Sequence, residues 1–546
     1  MAGIALSAAV LSAWVAASMA GAGRKERIRE FTAFFDVSGI EINEDNEIME
    51  LIAQKTGARC REQWLVGKTS EEAIAGYIAS GEYTDFISGG VTLYEAGALI
   101  PIDQYWDDYP NIKHYMSAEK WDRFRQSDGH IYWIPQFGVV HGKSAEVLHE
   151  GEAFWIQTRV LKWAGYPEIR TLEEYFDLLE AYADANPVME DPFHPGELME
   201  NIPFTILCDD WRYFCLENPP QFLDGYPNDG SCMVDAETQT VLDYNTSETA
   251  RRYFGKLNEE YNKGIIDREF FTQNYQEYLQ KIASGRVLGM VDQWWQFSYY
   301  AGNSLEKMAA QGCGYVPLPI TMDRETRNQW HVRRGAELSA ADGISVTVSC
   351  EDIEGALQFI NDLLDEEILK LRYWGVAGTD YEVYVNGVYY RTQEQRNMVR
   401  DPEYRAAHLC MYSYFPRIEG MLSDGLNAFS PEYQADEFFA ALAPDVKECL
   451  TAYGCRNYVD MLGTNDNPGP WYPMYSYSEM LTAESEAGRV WAQMNRVKRE
   501  YLPRVVMTDD FDTVWQQYME RYAACEPGIF FAEMQQELDR RMAISE

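Results

Sequence analysis

Aromatic residues stand beside glutamine, aspartate or arginine at several places where secondary-structure elements are expected to end. The clearest case is Asp292-Gln293-Trp294-Trp295-Gln296, which directly follows an apolar run. The others are Tyr132-Trp133-Ile134-Pro135-Gln136, Asp210-Trp211-Arg212, Tyr373-Trp374-Gly375 and Pro470-Trp471-Tyr472-Pro473. An indole stacks on the C–H face of a pyranose, while Gln, Asp and Arg supply the donors and acceptors that hydroxyl groups need. Each cluster alone favours core packing, because Trp is highly buried on average. Together they favour at least one cleft in which rings stack on a sugar.

The sequence lacks the motifs of common hydrolases, zinc proteases and nucleotide-binding proteins. The signatures G-x-S-x-G, H-E-x-x-H, G-x-x-x-x-G-K-[ST] and G-x-G-x-x-G do not occur, and no two of the seven His are four residues apart. Glu41, Asn43, Asp45 and Glu47 alternate as calcium ligands do, but the central Gly and distal Glu are missing, so a solvated helix start is favoured. We expect no metal and no cofactor. A carboxylate pair for glycoside hydrolysis stays open, because 87 acidic residues allow many pairs.

Length and charge exclude further classes of protein. The 546 residues are several times a typical domain of roughly 100 to 200 residues, so two or more cores are expected. Lys and Arg number 46 against 87 Asp and Glu, and the resulting net charge of −41 repels phosphate backbones. Nucleic acid is therefore not expected as a partner, and a neutral or cationic ligand is favoured. Among the ten Cys, Cys208 with Cys215 and Cys449 with Cys455 are disulfide candidates, but buried free thiols are favoured.

The N-terminus has the pattern of a secretion signal. Ile4 to Met19 form an apolar run, and small residues follow it at positions 20–23. The run is short for a membrane span, although an N-terminal anchor is the alternative. We therefore predict a signal peptide over residues 1–23 and an extracytoplasmic, soluble body.

Strand and helix patterns alternate through the body of the chain, which predicts an α/β fold. Short apolar runs predict strands at 31–35, 85–90, 287–291, 315–316 and 344–348. Helices are predicted from about Glu44 to Thr56, behind a capping box at Thr171 to Glu174, and after Ser349. The tail after about Lys447 is predicted to be helical.

Several of these segments, in this order, resemble the motifs of one family. The segments are Leu93–Asp103, Asp128–Pro135, Phe154–Gly165 with the Thr171 capping box, Gly285–Trp294, Tyr315–Pro319 and Gly343–Cys350. On these segments the chain resembles the extracellular solute-binding proteins, family 1, which deliver carbohydrates to ABC importers, in the long-chain branch typical of anaerobic Firmicutes. Each motif is loose, but the collinear set is specific.

The resemblance implies a two-lobed, periplasmic-binding-protein-like (type II) α/β fold that encloses its ligand by hinged closure. We expect residues 24–145 and 297–350 in lobe 1, with Tyr315–Pro319 and Gly343–Cys350 as its return strands. Residues 146–296 and 351–546 are expected in lobe 2, the latter with a helical C-terminal extension. Relatives usually carry a lipid-bearing Cys where this chain has Ala22, so a lipid anchor stays open.

These patterns predict a non-enzymatic, monomeric oligosaccharide receptor whose partners are a carbohydrate and the permease subunits of an ABC importer. The expected ligand-binding rings are Trp294, Trp295, Trp133, Trp374, Trp211 and Trp471. The expected polar contacts are Asp36, Gln136, Gln293 and Gln296. Asp36 is included because the loop after the first strand lines the cleft in this fold, although a cap near a helix is an alternative role. A secreted glycosidase or lyase with an acid pair in the same cleft is the rival hypothesis, and a surface adhesin or signalling receptor is a third.

Overall fold

A computed structural model describes residues 28–333, 338–463 and 468–545, so the predicted signal peptide lies outside the described residues. Within these ranges two four-stranded sheets and four two-stranded sheets form. The strands are β1 (Arg29–Phe35), β2 (Ala58–Trp64), β3 (Phe86–Gly90), β4 (Val140–His141), β5 (Glu152–Gln157), β6 (Val188–Glu190), β7 (Leu198–Glu200), β8 (Ile202–Ile206), β9 (Met233–Asp235), β10 (Thr240–Leu242), β11 (Val287–Gln293), β12 (Tyr315–Leu318), β13 (Asp342–Val346), β14 (Glu382–Val383), β15 (Tyr389–Tyr390) and β16 (Glu419–Gly420).

Helices cover the faces of the two larger sheets and form most of the C-terminal region. They are α1 (Glu47–Thr56), α2 (Ser70–Ser80), α3 (Val91–Glu95), α4 (Pro110–Lys113), α5 (Ala118–Asp122), α6 (Thr158–Trp163), α7 (Leu172–Ala185), α8 (Phe214–Glu217), α9 (Pro219–Leu223), α10 (Glu248–Lys263), α11 (Tyr275–Ala283), α12 (Trp294–Lys307), α13 (Ile353–Leu363), α14 (Glu366–Tyr373), α15 (Gln393–Arg400), α16 (Pro402–His408), α17 (Ala435–Ala441), α18 (Pro444–Ala452), α19 (Tyr458–Leu462), α20 (Tyr475–Ser478), α21 (Glu486–Met507), α22 (Phe511–Ala523) and α23 (Gly528–Ser545). Among the described residues, no helix combines the length and apolar character that a membrane span requires.

The predicted helices form for the local reasons that the sequence indicates. Asn46 caps α1 through a hydrogen bond from the Met49 backbone N–H, and Gly57 ends the helix at φ +71°. The Thr171–Glu174 capping box is present at the start of α7. The helix after Ser349 is α13, and its apolar stripe is buried.

The first large sheet has the strand order β13-β3-β1-β2, and we call this sheet with its packed helices the first lobe. Strand β1 runs parallel to β2 and β3, whereas β13 is antiparallel to β3. Its core includes Phe31, Phe86, Phe359 and Phe415 in a continuous aromatic cluster. Strand β3 packs so closely on β13 that a Cβ at Gly89 would lie 1.8 Å from the Ser345 Oγ, which explains the glycine there.

The second large sheet has the order β12-β5-β11-β8, and we call it with its packed helices the second lobe. Strand β11 is parallel to β8, while β5 runs antiparallel to both β11 and β12. Every residue of β5 is buried, as expected for a central strand covered on both faces. The C-terminal helices α21 to α23 contribute to the same core, so the tail is helical as predicted.

Two of the predicted lobe assignments are wrong. Tyr315–Leu318, expected as a return strand of lobe 1, pairs with β5 in the second sheet, and neighbouring Phe297 and Ala301 pack in the second core. Helix α13 and the later residues Ile368, Cys410, Tyr412 and Phe415, all expected in lobe 2, pack in the first core. The physical reason is that a short apolar run specifies burial but not which of two sheets it joins.

The chain crosses between the lobes more than once, and two crossing segments are tied together. Strand β4 leads from the first core towards β5, and β16 lies between first-core Phe415 and second-core Ala428. The two strands pair in parallel, with Val140 opposite Glu419. This short ladder is the geometry expected of a hinge, because few hydrogen bonds join two otherwise separate cores.

All ten cysteines lie in the described residues and are unpaired, nine of them buried. The candidate pairs Cys208 with Cys215 and Cys449 with Cys455 are therefore not bridged, and the favoured prediction of free thiols agrees with the structure. Burial raises the pKa of the Cys215 thiol well above its usual range, as expected of an inert structural thiol.

Candidate ligand-binding cleft

A cavity of about 1420 Å³ lies between the two lobes. First-lobe residues 36–40 and 88–93 line one side, and second-lobe residues 210–214 line the other. Helix α21 adds Trp491, Asn495 and Arg499, which are spaced four residues apart and so share one helix face.

The ends of the large-sheet strands place side chains in this cavity. Asp36 follows β1, Gly90 ends β3 and Gln293 ends β11, and all three residues line the cavity. In α/β sheets the crevice outside the carboxyl ends of the strands is the usual ligand position. The topology therefore brings polar loops from both lobes to one crevice.

The second-lobe wall carries a stack of aromatic rings. Trp211 and Trp295 lie with ring centroids 5.9 Å apart and planes at 16°, and Phe214 stacks on Trp211 at 6.0 Å. The Trp295 Nε1–H donates a hydrogen bond to Gln293 Oε1, which orients the indole. Such a wall presents flat apolar surface with hydrogen-bonding groups at its edge, as sugar stacking requires.

Arg212 adds a positive charge to the same wall. Its guanidinium lies 3.9 Å from the Tyr275 ring centroid and 4.4 Å from that of Trp211, and only 7% of the residue is exposed. Its Nε–H has no hydrogen-bond partner among the described residues. The N–H donors of a guanidinium lie in one plane, so a guanidinium held between two rings is suited to binding a pair of ligand oxygens.

The first-lobe wall is also aromatic. Trp64 lies 5.4 Å from Tyr414 in an edge-to-face contact, and Phe137 meets Tyr414 in the same way. Gln136 Nε2–H donates to the Tyr414 carbonyl at 2.6 Å, which positions that segment. Sequence reasoning missed Trp64 and Tyr414. Trp64 ends β2 after Glu62 and Gln63, so the same pattern of a ring beside polar residues could have identified it, whereas Tyr414 carries no such signal.

Acidic side chains outnumber arginines in the lining, and burial raises the pKa of some of these acids. Desolvation raises the pKa of Asp229 to about 6, although the Met474 N–H and the Ser231 hydroxyl donate to it. Desolvation likewise raises the pKa of Asp292, just behind the wall, to about 6, and that of Glu152 well above its usual range.

The structure brings five of the predicted ligand-binding residues to the cavity. These are Asp36, Gln136, Trp211, Gln293 and Trp295. Asp36 also accepts a hydrogen bond from the Ser70 hydroxyl in the first turn of α2, whereas the cap of that helix is Thr69.

Three predicted stacking residues are wrong, because their rings lie in the cores. Trp133 is fully buried in the first lobe and donates its Nε1–H to the Ala340 carbonyl at 3.0 Å. Trp374 is fully buried and donates to the Ala428 carbonyl at 2.9 Å, and Trp471 packs in the second core. A buried indole whose N–H is satisfied by a backbone carbonyl is a packing residue.

Two further predicted residues do not line the cavity, although their neighbours Gln293 and Trp295 do. Trp294 packs against the second core and meets Tyr299 edge to face, and it does not line the cavity. Gln296 is fully buried, and its Nε2–H donates to Asp292 behind the wall. The two side chains point away because α12 begins at Trp294, and each helical residue turns by roughly 100°.

Comparison with known proteins relates the whole architecture to one class. No family model matches the chain. It is 28% identical over 298 residues to the fructooligosaccharide ABC transporter substrate-binding protein FusA of Streptococcus pneumoniae, a match that spans 52% of this chain and about half, 50%, of that relative. The FusA EF-hand mutant in complex with fructo-nystose superposes with a TM-score of 0.63 at 17% identity, covering 94% of this chain and 100% of that one. The alginate-binding protein AlgQ2 without calcium ion gives a TM-score of 0.63 at 16% identity, covering 94% and 98%.

These likenesses extend over nearly the whole described structure, and the two solved proteins are named for binding a carbohydrate or are in complex with one. The two-lobed α/β fold that the sequence resemblance implied is thereby confirmed. The chain has the two-lobed α/β fold of the substrate-binding proteins of carbohydrate ABC transporters.

Proposed function

We propose that this protein captures a neutral oligosaccharide outside the cytoplasm and presents it to the permease subunits of an ABC importer. The observation that carries the proposal is the interlobe cavity of about 1420 Å³ with aromatic walls on both lobes. This volume exceeds the roughly 300 to 1000 Å³ of pockets for drug-sized ligands, which favours a chain of sugars over a single ring.

The chemistry of the cavity walls supports a glycan as the ligand. The stacked Trp211 and Trp295 offer flat apolar surface, while Gln293, Asn495 and Arg499 add hydrogen-bonding groups to the lining. The names of the similar proteins point to a carbohydrate, since FusA is named for fructooligosaccharide and AlgQ2 for alginate, and of these two ligands the fructooligosaccharide is the neutral one. Closure of the lobes around the glycan would create the state that the permease recognises.

A ligand screen tests the proposal directly. The melting temperature of the purified protein is measured with kestose, maltotetraose, mannotetraose, N,N′,N″,N‴-tetraacetylchitotetraose and alginate tetramer. Each saccharide that raises the melting temperature is then titrated by calorimetry. A ligand at 100 times its dissociation constant stabilises the folded state by about 2.7 kcal/mol, which raises the melting temperature. Failure of every saccharide in this panel to bind would contradict the proposal.

The same samples separate a receptor from the rival glycosidase or lyase. After prolonged incubation we expect each bound saccharide to be recovered at its original length by chromatography. Shorter products would favour hydrolysis by a pair of cavity carboxylates. A Trp295→Ala variant serves as the control, because a contaminating hydrolase would be unaffected by it.

A further inference from the structure

Arg212 presents unpaired N–H donors to the cavity from the second lobe. Its guanidinium is held between the rings of Tyr275 and Trp211, and the residue is more than nine-tenths buried. Among the described residues, no hydrogen bond or ion pair satisfies this guanidinium. Of its three nitrogens only Nε is sealed from solvent, so Nη1 and Nη2 reach the cavity that Arg212 lines. A buried cation with open donors indicates a ligand that accepts hydrogen bonds.

Asp36 presents a matching acceptor from the first lobe. The residue follows β1, lines the cavity and is partly buried. Its Oδ2 accepts a hydrogen bond from the Ser70 hydroxyl at 2.5 Å, which fixes the carboxyl group beside α2. Its Oδ1 has no partner within the described part of the chain, and it is not sealed from the cavity. A carboxylate can only accept, so this oxygen indicates a ligand that also donates.

Contacts between the lobes place these two groups on facing walls of one region of the cavity. The Tyr300 hydroxyl donates to the Ser38 carbonyl, two residues after Asp36, at 2.9 Å. The Tyr300 ring meets the Tyr275 ring edge to face at 6.0 Å, and the Arg212 guanidinium lies 3.9 Å from the centre of that Tyr275 ring. The described residues form no ion pair between Asp36 and Arg212, which leaves their open atoms to a ligand.

The first-lobe residue Tyr414 lies close to the same charges. Burial raises the pKa of its hydroxyl well above the usual range, the charge of Asp36 raises it further and the charge of Arg212 lowers it. Asp342, which is exposed at the start of β13, acts in the same direction as Asp36. The first-lobe wall is therefore acidic where the second-lobe wall carries Arg212.

A sugar hydroxyl is the group that fits between these walls. A hydroxyl both accepts and donates, whereas a carboxylate only accepts and an ammonium group only donates. Two adjacent hydroxyls can accept together from the two terminal nitrogens of a guanidinium, because those nitrogens lie side by side in one plane.

We propose that Arg212 and Asp36 form an interlobe clamp on one sugar unit, in which two adjacent hydroxyls accept hydrogen bonds from Arg212 and donate to Asp36. The inference rests on the proposed function and specifies the part of the ligand that joins the two lobes. A sugar unit that carries a carboxylate or an ammonium group at this place satisfies only one side of the clamp.

Replacement of the two residues tests the clamp with the saccharide that binds most tightly in the screen. Arg212→Met removes the donors but keeps an apolar stem between the rings, and Asp36→Ala removes the acceptor. Calorimetry should show that each variant binds at least about tenfold more weakly, because a hydrogen bond to a charged group is lost. The fall in the double variant should be smaller than the product of the two single falls, since both residues hold the same hydroxyls. Arg212→Lys, which keeps the charge but not the pair of nitrogens, should also bind more weakly and replaces Arg212→Met if that variant does not fold.

Arg456→Met and Asp128→Ala are the matched controls. Arg456 also lies over a ring, that of Phe439, at 4.7 Å, and Asp128 also accepts a hydrogen bond from a hydroxyl, that of Tyr132, at 2.5 Å. Neither residue lines the cavity. Both control variants should therefore bind the saccharide as the wild-type protein does.

Monodeoxy derivatives of the same saccharide locate the clamped hydroxyls. Removal of either of two adjacent hydroxyls should weaken binding to the wild-type protein at least about tenfold. The same removal should have little effect on binding to Arg212→Met, because that variant has already lost the contact.

The outcomes distinguish the clamp from the proposed function. Wild-type affinity in Asp36→Ala or in the Arg212 variants, or single falls that multiply in the double variant, would overturn the clamp while sugar binding remains. The clamp would also be overturned if every deoxy derivative lost the same affinity for Arg212→Met as for the wild-type protein. If no saccharide binds to the wild-type protein, the proposed function fails and the clamp fails with it.

Discussion

At the residue scale, the direction of each side chain decides its role. Residues 293–296 are all glutamine or tryptophan, yet their positions differ. Gln293 and Trp295 line the cavity, whereas Trp294 packs against the core and Gln296 is buried. The segment joins the end of β11 to the first turn of α12, so successive side chains point in different directions. Composition identifies such a segment, but not which of its residues face a ligand.

Replacement of Trp295 by alanine should weaken binding of a saccharide from the screen by about 1 to 3 kcal/mol, by analogy with losses measured when a stacking ring is removed. The free energy of unfolding should change much less, because the ring is only partly buried. Calorimetry and urea unfolding measure the two effects. Trp163→Ala is the matched control, since this ring is 49% exposed and lies outside the cavity lining. Equal affinities for the Trp295 variant and wild type would remove Trp295 from the site.

At the element scale, α21 connects the C-terminal extension to the cavity. One face of the helix carries Trp491, Asn495 and Arg499 into the lining. Next to Trp491 on the helix surface, the fully buried Lys498 lies 3.0 Å from Glu217 Oε2 and 4.8 Å from the Trp491 ring centroid. The helix is thus anchored to α8 by an ion pair next to the cavity.

Lys498→Met should lower the free energy of unfolding by about 3 kcal/mol, because loss of one partner leaves the other charge of a buried ion pair uncompensated. Adding Glu217→Gln to this variant should recover part of the loss. Urea denaturation followed by circular dichroism measures both. Lys162→Met is the control, since the exposed Lys162–Glu448 pair should contribute about 1 kcal/mol or less. Similar losses for the two single variants would contradict the role assigned to Lys498.

At the scale of the whole molecule, two separate cores and a narrow hinge permit the lobes to move relative to each other. A hydrogen bond joins cavity-lining residues of the two lobes, from the Tyr300 hydroxyl on α12 to the Ser38 carbonyl after β1, at 2.9 Å. Both residues line the cavity, so this contact can form only when the lobes are close.

Tyr300→Phe should shift the ligand-free protein towards an open state, because it removes about 1 kcal/mol of stabilisation specific to closure. Small-angle X-ray scattering should show a larger radius of gyration for the variant without ligand, and the same radius as wild type when a bound saccharide is saturating. Tyr166→Phe is the control, since it removes a hydroxyl contact to Glu448 within the second lobe. A radius of gyration insensitive to both Tyr300→Phe and ligand would argue against hinged closure.

The sequence by itself predicted the helices from about Glu44, behind Thr171 and after Ser349, most of the buried strands and the segments that carry the aromatic wall, because capping and hydrophobic periodicity are local properties of the chain. The two-lobed fold was implied by the resemblance of the ordered motifs to one family. Only the tertiary structure decided that Tyr315–Leu318 joins the second sheet, that Trp133 and Trp374 are core residues, and that Trp64 and Tyr414 face the cavity. These outcomes depend on contacts between residues far apart in the chain, such as the approach of β12 to β5 and of Trp374 to Ala428. Burial of an apolar residue is encoded in its own side chain, whereas the partner that buries it is encoded in the rest of the molecule.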